Sequence, residues 1–387
     1  MKRAFLFLLL TACLFASCIQ DEAPNAEADI LSCSIEGAEF FRQPIITNDS
    51  VTVFVPFGTD LSNVALSFEL TPGATVNPEN GSKIQLDNNN IAHYTVTSED
   101  RKWTKTYSVK MVVNSPLTEM LTDFHFEGLE LKNQGGVDYQ IIKEIDENGS
   151  TLLEWGSGNL GYTMAARADG ITDPTQYPTV SSTDGYQGRC VVLTTRVPQA
   201  KEIASMAPIA AGNLFTGSFG SISLSQPALS THFGEGFIAT KVPLSLEGYY
   251  KFKKGTGKFT VTKPQPGTDY NTFHDAWDIY GVLYEYSHDT PYLDGYNILS
   301  DKSIVAIARL PRAQRIDDKS EWTHFFMEFQ TQNGKTIDKT RLKQGAYNLA
   351  IVMSSSEEGA YFNGAEGSTL YVDEVKLNCE EEKEDNQ

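Results

Sequence analysis

The sequence predicts an all-β chain made of two sandwiches in series, and three observations carry that prediction. Short runs rich in Val, Ile, Thr and aromatic residues alternate with turn clusters, at spacings of roughly 8 to 12 residues in the first part of the chain. No stretch sustains the 3.6-residue apolar period of a packed helix. The pattern breaks at Asn114-Ser115-Pro116, where proline removes a backbone donor and confines its predecessor to extended geometry. Composition narrows the function. Of 387 residues, 50 are acidic and 31 basic, a formal charge of −19. Such a surplus repels phosphate backbones and anionic lipid surfaces, so nucleic acid is not an expected partner.

The chain begins with Lys2 and Arg3, then an apolar run from Ala4 to Phe15, the length of a signal h-region and too short to span a bilayer. Residues 1–17 are therefore expected to be a signal peptide. The run ends in Leu14-Phe15-Ala16-Ser17-Cys18, which resembles the lipobox of bacterial lipoproteins, with Phe15 in place of the usual leucine. The resemblance implies cleavage before Cys18 and lipidation of its thiol, so that acyl chains hold the mature chain to a membrane. No later stretch approaches 18 apolar residues, which leaves lipid as the expected membrane attachment. Residues 18–28, acidic, small and proline-containing, read as a flexible tether. Within it Asp21-Glu22 resembles the acidic export signal of Bacteroidetes surface lipoproteins, which implies display on the outer membrane, a periplasm-facing position being the alternative. Cys33, Cys190 and Cys379 lie far apart and form no CxxC or zinc spacing, so they are expected as small apolar strand residues and not as disulfide partners.

From 29 to 114 the strand candidates are Val51–Val55, Val64–Leu70, Ile84–Leu86, Tyr94–Thr97 and Thr106–Val113, with turns at Pro72-Gly73 and Asn80-Gly81. The segments Val53 to Leu61, Thr71 to Ala74, Tyr94 to Asp100 and Lys105 to Val109 resemble the immunoglobulin-like N-terminal modules of Bacteroidetes surface lipoproteins. That resemblance implies an immunoglobulin-like sandwich acting as a spacer, and nothing in it points to catalysis.

Residues 117–380 are expected to form a β-jelly-roll sandwich. The strand candidates are Tyr139–Ile145, Leu152–Trp155, Arg189–Thr195, Phe219–Leu224, Gly248–Phe252, Asp278–Tyr286, Ser303–Ala308, Thr323–Phe329, Tyr347–Met353 and Leu370–Leu377, with one short helix near Gln199–Met206. The charged end, 381–387, is expected to lack order. Asp123 to Glu127, Trp155 to Asn159 and Gly367 to Leu377 resemble the putative carbohydrate-metabolism domain family of Bacteroidetes lipoproteins, and more loosely the jelly-roll carbohydrate-binding modules. The first resemblance implies a jelly roll with a role in glycan handling. The second implies that Asp373 and Glu127, which match the modules' calcium-binding aspartate and early glutamate, hold a structural calcium, a hard ion that prefers oxygen ligands. No other cofactor is expected.

Period-2 arithmetic on the closing strand places Tyr371, Asp373, Val375 and Leu377 on one face, so Asp373 needs a hydrogen bond or a cation in an otherwise mostly apolar row. Capping of a turn or pairing with an arginine would answer that need as well.

Sugars are held by stacking their apolar faces on aromatic rings while carboxylates, amides and arginines take the hydroxyls. On Asp278–Tyr286 the same arithmetic groups Tyr280, Tyr284 and Tyr286 with Asp278 and Val282, opposite Ile279, Leu283 and Glu285. With the aliphatic face as core, the tyrosines would face solvent. His274-Asp275-Ala276-Trp277 precedes this strand and a loop from Ser287 to Tyr296 follows it, so Trp277, Tyr280, Tyr284, Tyr286 and Tyr292 are the expected ligand contacts. The bland alternative is tyrosines that pack with their hydroxyls at the rim. A second candidate is Trp155, with the glycine-rich stretch to Tyr162 and then Tyr177 and Tyr186 in a long loop. Trp322 and Phe326 alternate with Phe325, Met327 and Phe329 on a strand apolar on both faces, which reads as core.

Glycoside hydrolysis calls for two carboxylates about 5 to 10 Å apart, one of them kept protonated. Asp275, Asp278 and Glu285 are the weak candidates, with Asp289 and Asp294 beyond them. His274 and His288 lie in no recognised metal spacing, Gly255 to Phe259 lacks the P-loop pattern, and no GxSxG elbow occurs. The leading expectation is a lipid-anchored envelope protein that binds a polysaccharide or oligosaccharide. A glycoside hydrolase using a carboxylate pair, or an adhesive or structural envelope protein, is the alternative. A hydrolase should show two acids converging in a groove with one pKa raised, a binder a flatter aromatic platform, and an adhesin a large apolar patch.

Overall fold

The computed structural model describes residues 23–38, 40–55, 59–113, 119–222, 226–287, 290–332 and 334–381. The signal peptide, Cys18, the break at 114–116, His288, Asp289 and residues 382–387 lie outside the described residues. The chain divides into two compact units, Met1–Asn114 and Ser115–Gln387.

In the first unit, β1 (Ile30–Glu36), β2 (Arg42–Ile46), β3 (Ser50–Val55), β4 (Ala65–Leu70), β5 (Thr75–Asn77), β6 (Ile91–Thr97) and β7 (Thr104–Val113) form two sheets. β1 pairs antiparallel with β4, and the others run β2-β3-β7-β6-β5 with β3 and β7 parallel. Alternation builds the core: Val51, Val53 and Val55 are fully buried while Thr52 and Phe54 between them are not. They pack with Leu66, Phe68, Tyr94, Val96, Val109 and Met111. The expected strand at Ile84–Leu86 does not form, and the adjacent Lys83 makes only a single bridge to Ala65.

The second unit runs β8 (Asp123–Phe124), β9 (Gly128–Gln134), β10 (Val137–Ile145), β11 (Thr151–Glu154), helix α1 (Asn159–Asp169), β12 (Thr179–Ser182), β13 (Cys190–Thr194), helix α2 (Lys201–Met206), β14 (Asn213–Phe215), β15 (Gly217–Phe219) and β16 (Thr231–Phe233). It continues with β17 (Pro243–Lys253), β18 (Phe259–Thr260), β19 (Asp278–Glu285), β20 (Ile304–Arg309), β21 (Lys319–Glu328), β22 (Gln330–Thr331), helix α3 (Lys339–Lys343), β23 (Tyr347–Ser354), β24 (Gly364–Ala365) and β25 (Thr369–Cys379). A front sheet of six strands, β12-β13-β25-β17-β21 with β8 added beside β25, packs on a back sheet of five, β14-β23-β19-β20-β22. Leu246, Tyr250, Val372 and Val375 of the front sheet meet Trp277, Ile279, Leu283 and Ile351 from the back, all buried. Together they form the all-β sandwich that the sequence predicts.

Two departures shape the surface. The back sheet is buried on its second face as well: Tyr280, Val282, Tyr284 and Val352 pack beneath Phe215, Phe233, Leu293 and Ile298. The other lies where the sequence pattern showed no helix: α1 packs Tyr162, Ala165 and Ala166 on Tyr139 and Ile141 of β10. Its cues are local. The buried positions follow i, i+3, i+4 spacing, and Gly170, at φ 70°, closes the helix by donating to the Ala166 and Arg167 carbonyls. The short α2 falls where the sequence placed a helix.

Candidate functional site

The acids and aromatics named from the sequence do not assemble into one exposed site. Trp277 is fully buried, its ring 4.4 Å from that of Tyr250. Trp155 is 1% exposed, packs on Phe124 and Phe126, and donates its indole N–H to Glu144 Oε1 at 2.8 Å. Tyr284 is fully buried and donates to the Phe233 carbonyl at 2.9 Å, and Tyr280 is 6% exposed. These four are therefore not the open platform expected of them: Trp155 and Trp277 lie in the core between the sheets, and a third layer covers Tyr280 and Tyr284 on the face that alternation assigned to solvent. Tyr286 and Tyr292 are half-buried, and Tyr292 stacks on His232 with centroids 3.7 Å apart.

The acids are equally separated. Asp278 and Glu285 stand at opposite ends of β19, about 23 Å apart at 3.3 Å per residue, too far for one glycosidic bond. Glu285 bonds Lys335 and Arg341, both at 2.6 Å; burial opposes these pairs, yet its carboxyl is held below the usual range. Asp275 is pushed up to about 6 by burial, although Ser356 Oγ, Ser368 Oγ and the Ala365 and Ala276 amides all donate to it. That network makes it a buried hub that ties its own segment to Ser356 and to the turn from Ala365 to Ser368. Burial likewise raises Glu144, which accepts from Trp155 and the His125 and Phe126 amides.

Alternation on the front sheet supplies what the back sheet does not. On β17, Leu246, Gly248, Tyr250 and Phe252 point inward, so Glu247, Tyr249 and Lys251 point outward. On β21, Phe325 and Met327 are buried, which turns Trp322, His324 and Phe326 outward; the core assignment of Trp322 and Phe326 fails here, and Phe326 is 49% exposed. On β25 a bulge intervenes. Tyr249 faces Asp373 but Glu247 faces Lys376, and Glu374 takes a positive φ of 48°. The extra residue parts Tyr371 and Asp373 from Val375 and Leu377, so the single face expected from period 2 is broken. Tyr371 and Asp373 join the outer side, and Val375 and Leu377 enter the core.

The loop between β12 and β13 then folds over Asp373. Tyr186 at its tip lies parallel to Tyr249, centroids 3.7 Å apart and planes 8° apart, with Trp322 edge-on at 6.3 Å. Lys251 Nζ sits 4.6 Å from the Trp322 centroid and 4.8 Å from that of Tyr371, and bonds Asp184 at 2.7 Å. Two carboxylates anchor this loop. Asp373 accepts from the Gln187 amide at 2.9 Å and Glu127 from the Arg189 amide at 2.9 Å. Glycine is needed at Gly188, where φ is 67° and a Cβ would lie 2.0 Å from Glu127 Oε1. Burial pushes Asp373 up to about 6. Beside the aromatics, hydrogen bonds from the Asn378 amide and His324, at 2.7 and 2.9 Å, hold Glu247 below the usual carboxylate range.

Glu127 and Asp373 thus meet one loop, and paired carboxylates are the chemistry a calcium ion takes. Their present partners are N–H donors, and among the described residues no three His, Cys, Asp or Glu side chains form a metal-holding group.

The sequence reading noted Tyr186 only as part of a long loop and Tyr371 only as a neighbour of Asp373 on the closing strand, and passed over Tyr249 and Lys251. The available signal was the alternation of Glu247, Tyr249 and Lys251 against Leu246, Tyr250 and Phe252.

On the back-sheet side a cleft of about 390 Å³ opens over the Asp278 and Tyr280 end of β19. Asp278 and Glu357 line it and share Arg315, whose Nη1 and Nη2 donate to them at 2.9 and 3.0 Å. Arg309 also donates to both oxygens of Asp278, at 3.0 and 2.6 Å. Guanidiniums thus make charge-assisted hydrogen bonds to both oxygens of this carboxylate.

Comparison with known proteins locates the chain. The model described as "Putative carbohydrate metabolism domain" matches residues 125–378, and the one described as "SGBP, N-terminal" matches residues 30–111. A crystal structure described as a putative glycoside hydrolase from Bacteroides thetaiotaomicron is 41% identical with a TM-score of 0.60, over 94% of this chain and 100% of that one. Another so described, from Bacteroides vulgatus, is 34% identical with a TM-score of 0.58, over 68% of this chain and 99% of that one. No curated protein matches. Among the described residues no helix is long and apolar enough to cross a membrane.

Proposed function

The chain belongs to the putative carbohydrate metabolism domain family, and from that premise we propose that it binds glycans on the open face of the front sheet while anchored to the outer membrane through lipidated Cys18, facing outward. One observation carries the binding reading: the parallel Tyr186–Tyr249 pair with Trp322 beside it, aromatic surface on a face that, among the described residues of this unit, no further layer covers. Pyranose rings stack on such surfaces, and Lys251, Glu247 and His324 at its edge supply charged hydrogen-bonding groups for hydroxyls. The match of residues 30–111 to the SGBP N-terminal model supports surface display. Glu127 and Asp373 are proposed to hold a structural calcium that stiffens the Tyr186 loop.

A hydrolase reading has support from the neighbours' descriptions and from Asp278 and Glu357 in the cleft. Against it, the buried acids pushed up in pKa, Glu144, Asp275 and Asp373, lie outside that cleft lining and are enclosed by N–H and O–H donors.

The test is a glycan-array screen of the full chain carrying Cys18→Ser, with and without chelator, and an assay of the same glycans for new reducing ends. Binding without release, lost in Tyr249→Ala and Trp322→Ala, is the expected result. Release of reducing ends abolished by Glu357→Gln would replace binding by hydrolysis. Unchanged melting on chelation would remove the calcium.

A further inference from the structure

We propose that the cleft over the back sheet is a second binding site, separate from the aromatic platform, for a small uncharged amphipathic molecule with an apolar body and a hydroxyl-bearing end. Four observations on the cleft lead there. Its volume, about 390 Å³, falls within the range of built small-molecule sites. Its walls come from far apart in sequence: Ile203 and Met206 from α2, Phe219 from β15, Ile298 from the loop before β20, and Tyr361 from the turn before β24. Two of the apolar side chains around it, Met206 and Ile222, remain 42% and 41% exposed, so apolar surface there still faces water.

The fourth observation is polar. Tyr280 lines the cleft, is 6% exposed, and its hydroxyl makes no hydrogen bond to any described residue. Its oxygen is not sealed away from solvent, so it opens onto the cleft, where a ligand group can reach it and give the phenol the partner it lacks within the protein. Beside it, Asp278 Oδ2 and Glu357 Oε1 each accept one hydrogen bond, from Arg309 and Arg312, although a carboxylate oxygen takes about two. The polar end of the cleft therefore offers spare carboxylate acceptors and one unpaired phenol. Hydroxyl donors satisfy all three.

This arrangement also says what the ligand is not. A free oligosaccharide would leave most of its hydroxyls against Met, Ile and Phe, unpaired. A fatty carboxylate would bring its charge to two carboxylates whose arginines are already engaged. An alkyl or aryl glycoside, or another alcohol with an apolar body, has the matching chemistry.

The probes are N-phenyl-1-naphthylamine, an uncharged fluorophore, and n-octyl β-D-glucoside below its micellar concentration, with the full-length Cys18→Ser chain. Saturable one-site fluorescence enhancement, displaced by the glucoside, is the expected result. Ile203→Trp, which fills the cleft, should weaken the fluorophore at least tenfold. Tyr280→Phe, which removes one oxygen and no volume, should weaken the glucoside about tenfold and leave the fluorophore unchanged. Trp322→Ala should change neither. The proposal is overturned if no saturable binding occurs, if Trp322→Ala abolishes it, or if Ile203→Trp folds and binds as before. Sodium decanoate displacing the fluorophore better than the glucoside would overturn the uncharged-ligand assignment, as would a glucoside indifferent to Tyr280→Phe.

Discussion

β19 and β17 follow the same sequence rule and end in opposite surroundings. Both alternate aliphatic or aromatic core positions with outward residues that include tyrosine, Tyr280 and Tyr284 on one and Tyr249 on the other. On β17 the outward face meets water and gathers Tyr186 and Trp322 around it. On β19 the outward face is roofed by Phe215, Phe233, Leu293 and Ile298, and only the Asp278 and Tyr280 end opens into a cleft. A period of 2 states which residues share a face. Whether that face meets solvent depends on segments more than forty residues away in some cases, and no local pattern announces them.

The sharpest way to break this comparison is to truncate a tryptophan on each side. Trp277→Ala empties the core between the sheets and should cost about 3–5 kcal/mol of unfolding free energy, measured by chemical denaturation. Trp322→Ala, on the open face, should cost well under that, and equal losses would erase the distinction between the two surfaces.

The next effect is electrostatic. Asp275 titrates at about 6 in the fold against 3.8 for the free group, so between those values the native state holds more protons than the unfolded chain. Stability from this group is therefore present at low pH and lost as pH rises from about 4 to about 6. Lowering pH from 7.5 to 5 should stabilise the protein relative to Asp275→Asn by about 1.4 kcal/mol, since only the pH unit below about 6 contributes. Parallel stability profiles for the two proteins would refute the buried-hub assignment.

Smaller still is the platform's own signature. Removing Tyr249 or Trp322 should weaken glycan binding about tenfold, some 1.4 kcal/mol, with little change in melting temperature. Tyr284→Phe, by contrast, deletes the hydroxyl that donates to the Phe233 carbonyl and accepts from the Asn348 side-chain amide, and should leave binding untouched while destabilising by about 1 kcal/mol. The finest probe is Gly188→Ala. The added Cβ collides with Glu127, moves the loop and should lower affinity severalfold through Tyr186, without loss of secondary structure by circular dichroism.

Much of the architecture was legible because it is periodic. The alternation of Val51, Val53 and Val55, the aliphatic face of Ile279 and Leu283, and the short helix at α2 all follow from residue order. Helix α1 went unread, although the spacing of Tyr162, Ala165 and Ala166 and the stop at Gly170 carry its local cues. Two features broke the reading. Trp322 looked like core because Phe325, Phe326, Met327 and Phe329 surround it in sequence, and apolarity on both faces hides which side is wet. The bulge at Glu374 shifted the register of β25 by one residue, and one residue is enough to reverse a face.

By itself, therefore, the sequence determined an all-β chain in two units, the family's marks at Asp123–Glu127 and Gly367–Leu377, and the inner faces of the main strands, because each rests on short-range spacing. Only the tertiary structure decided that Tyr186 lies on Tyr249, that Asp373 and Glu127 anchor the same loop, and that Tyr280 belongs to a cleft. Those relations join residues separated by tens to hundreds of positions. They exist only once burial of the shared core has brought the segments together.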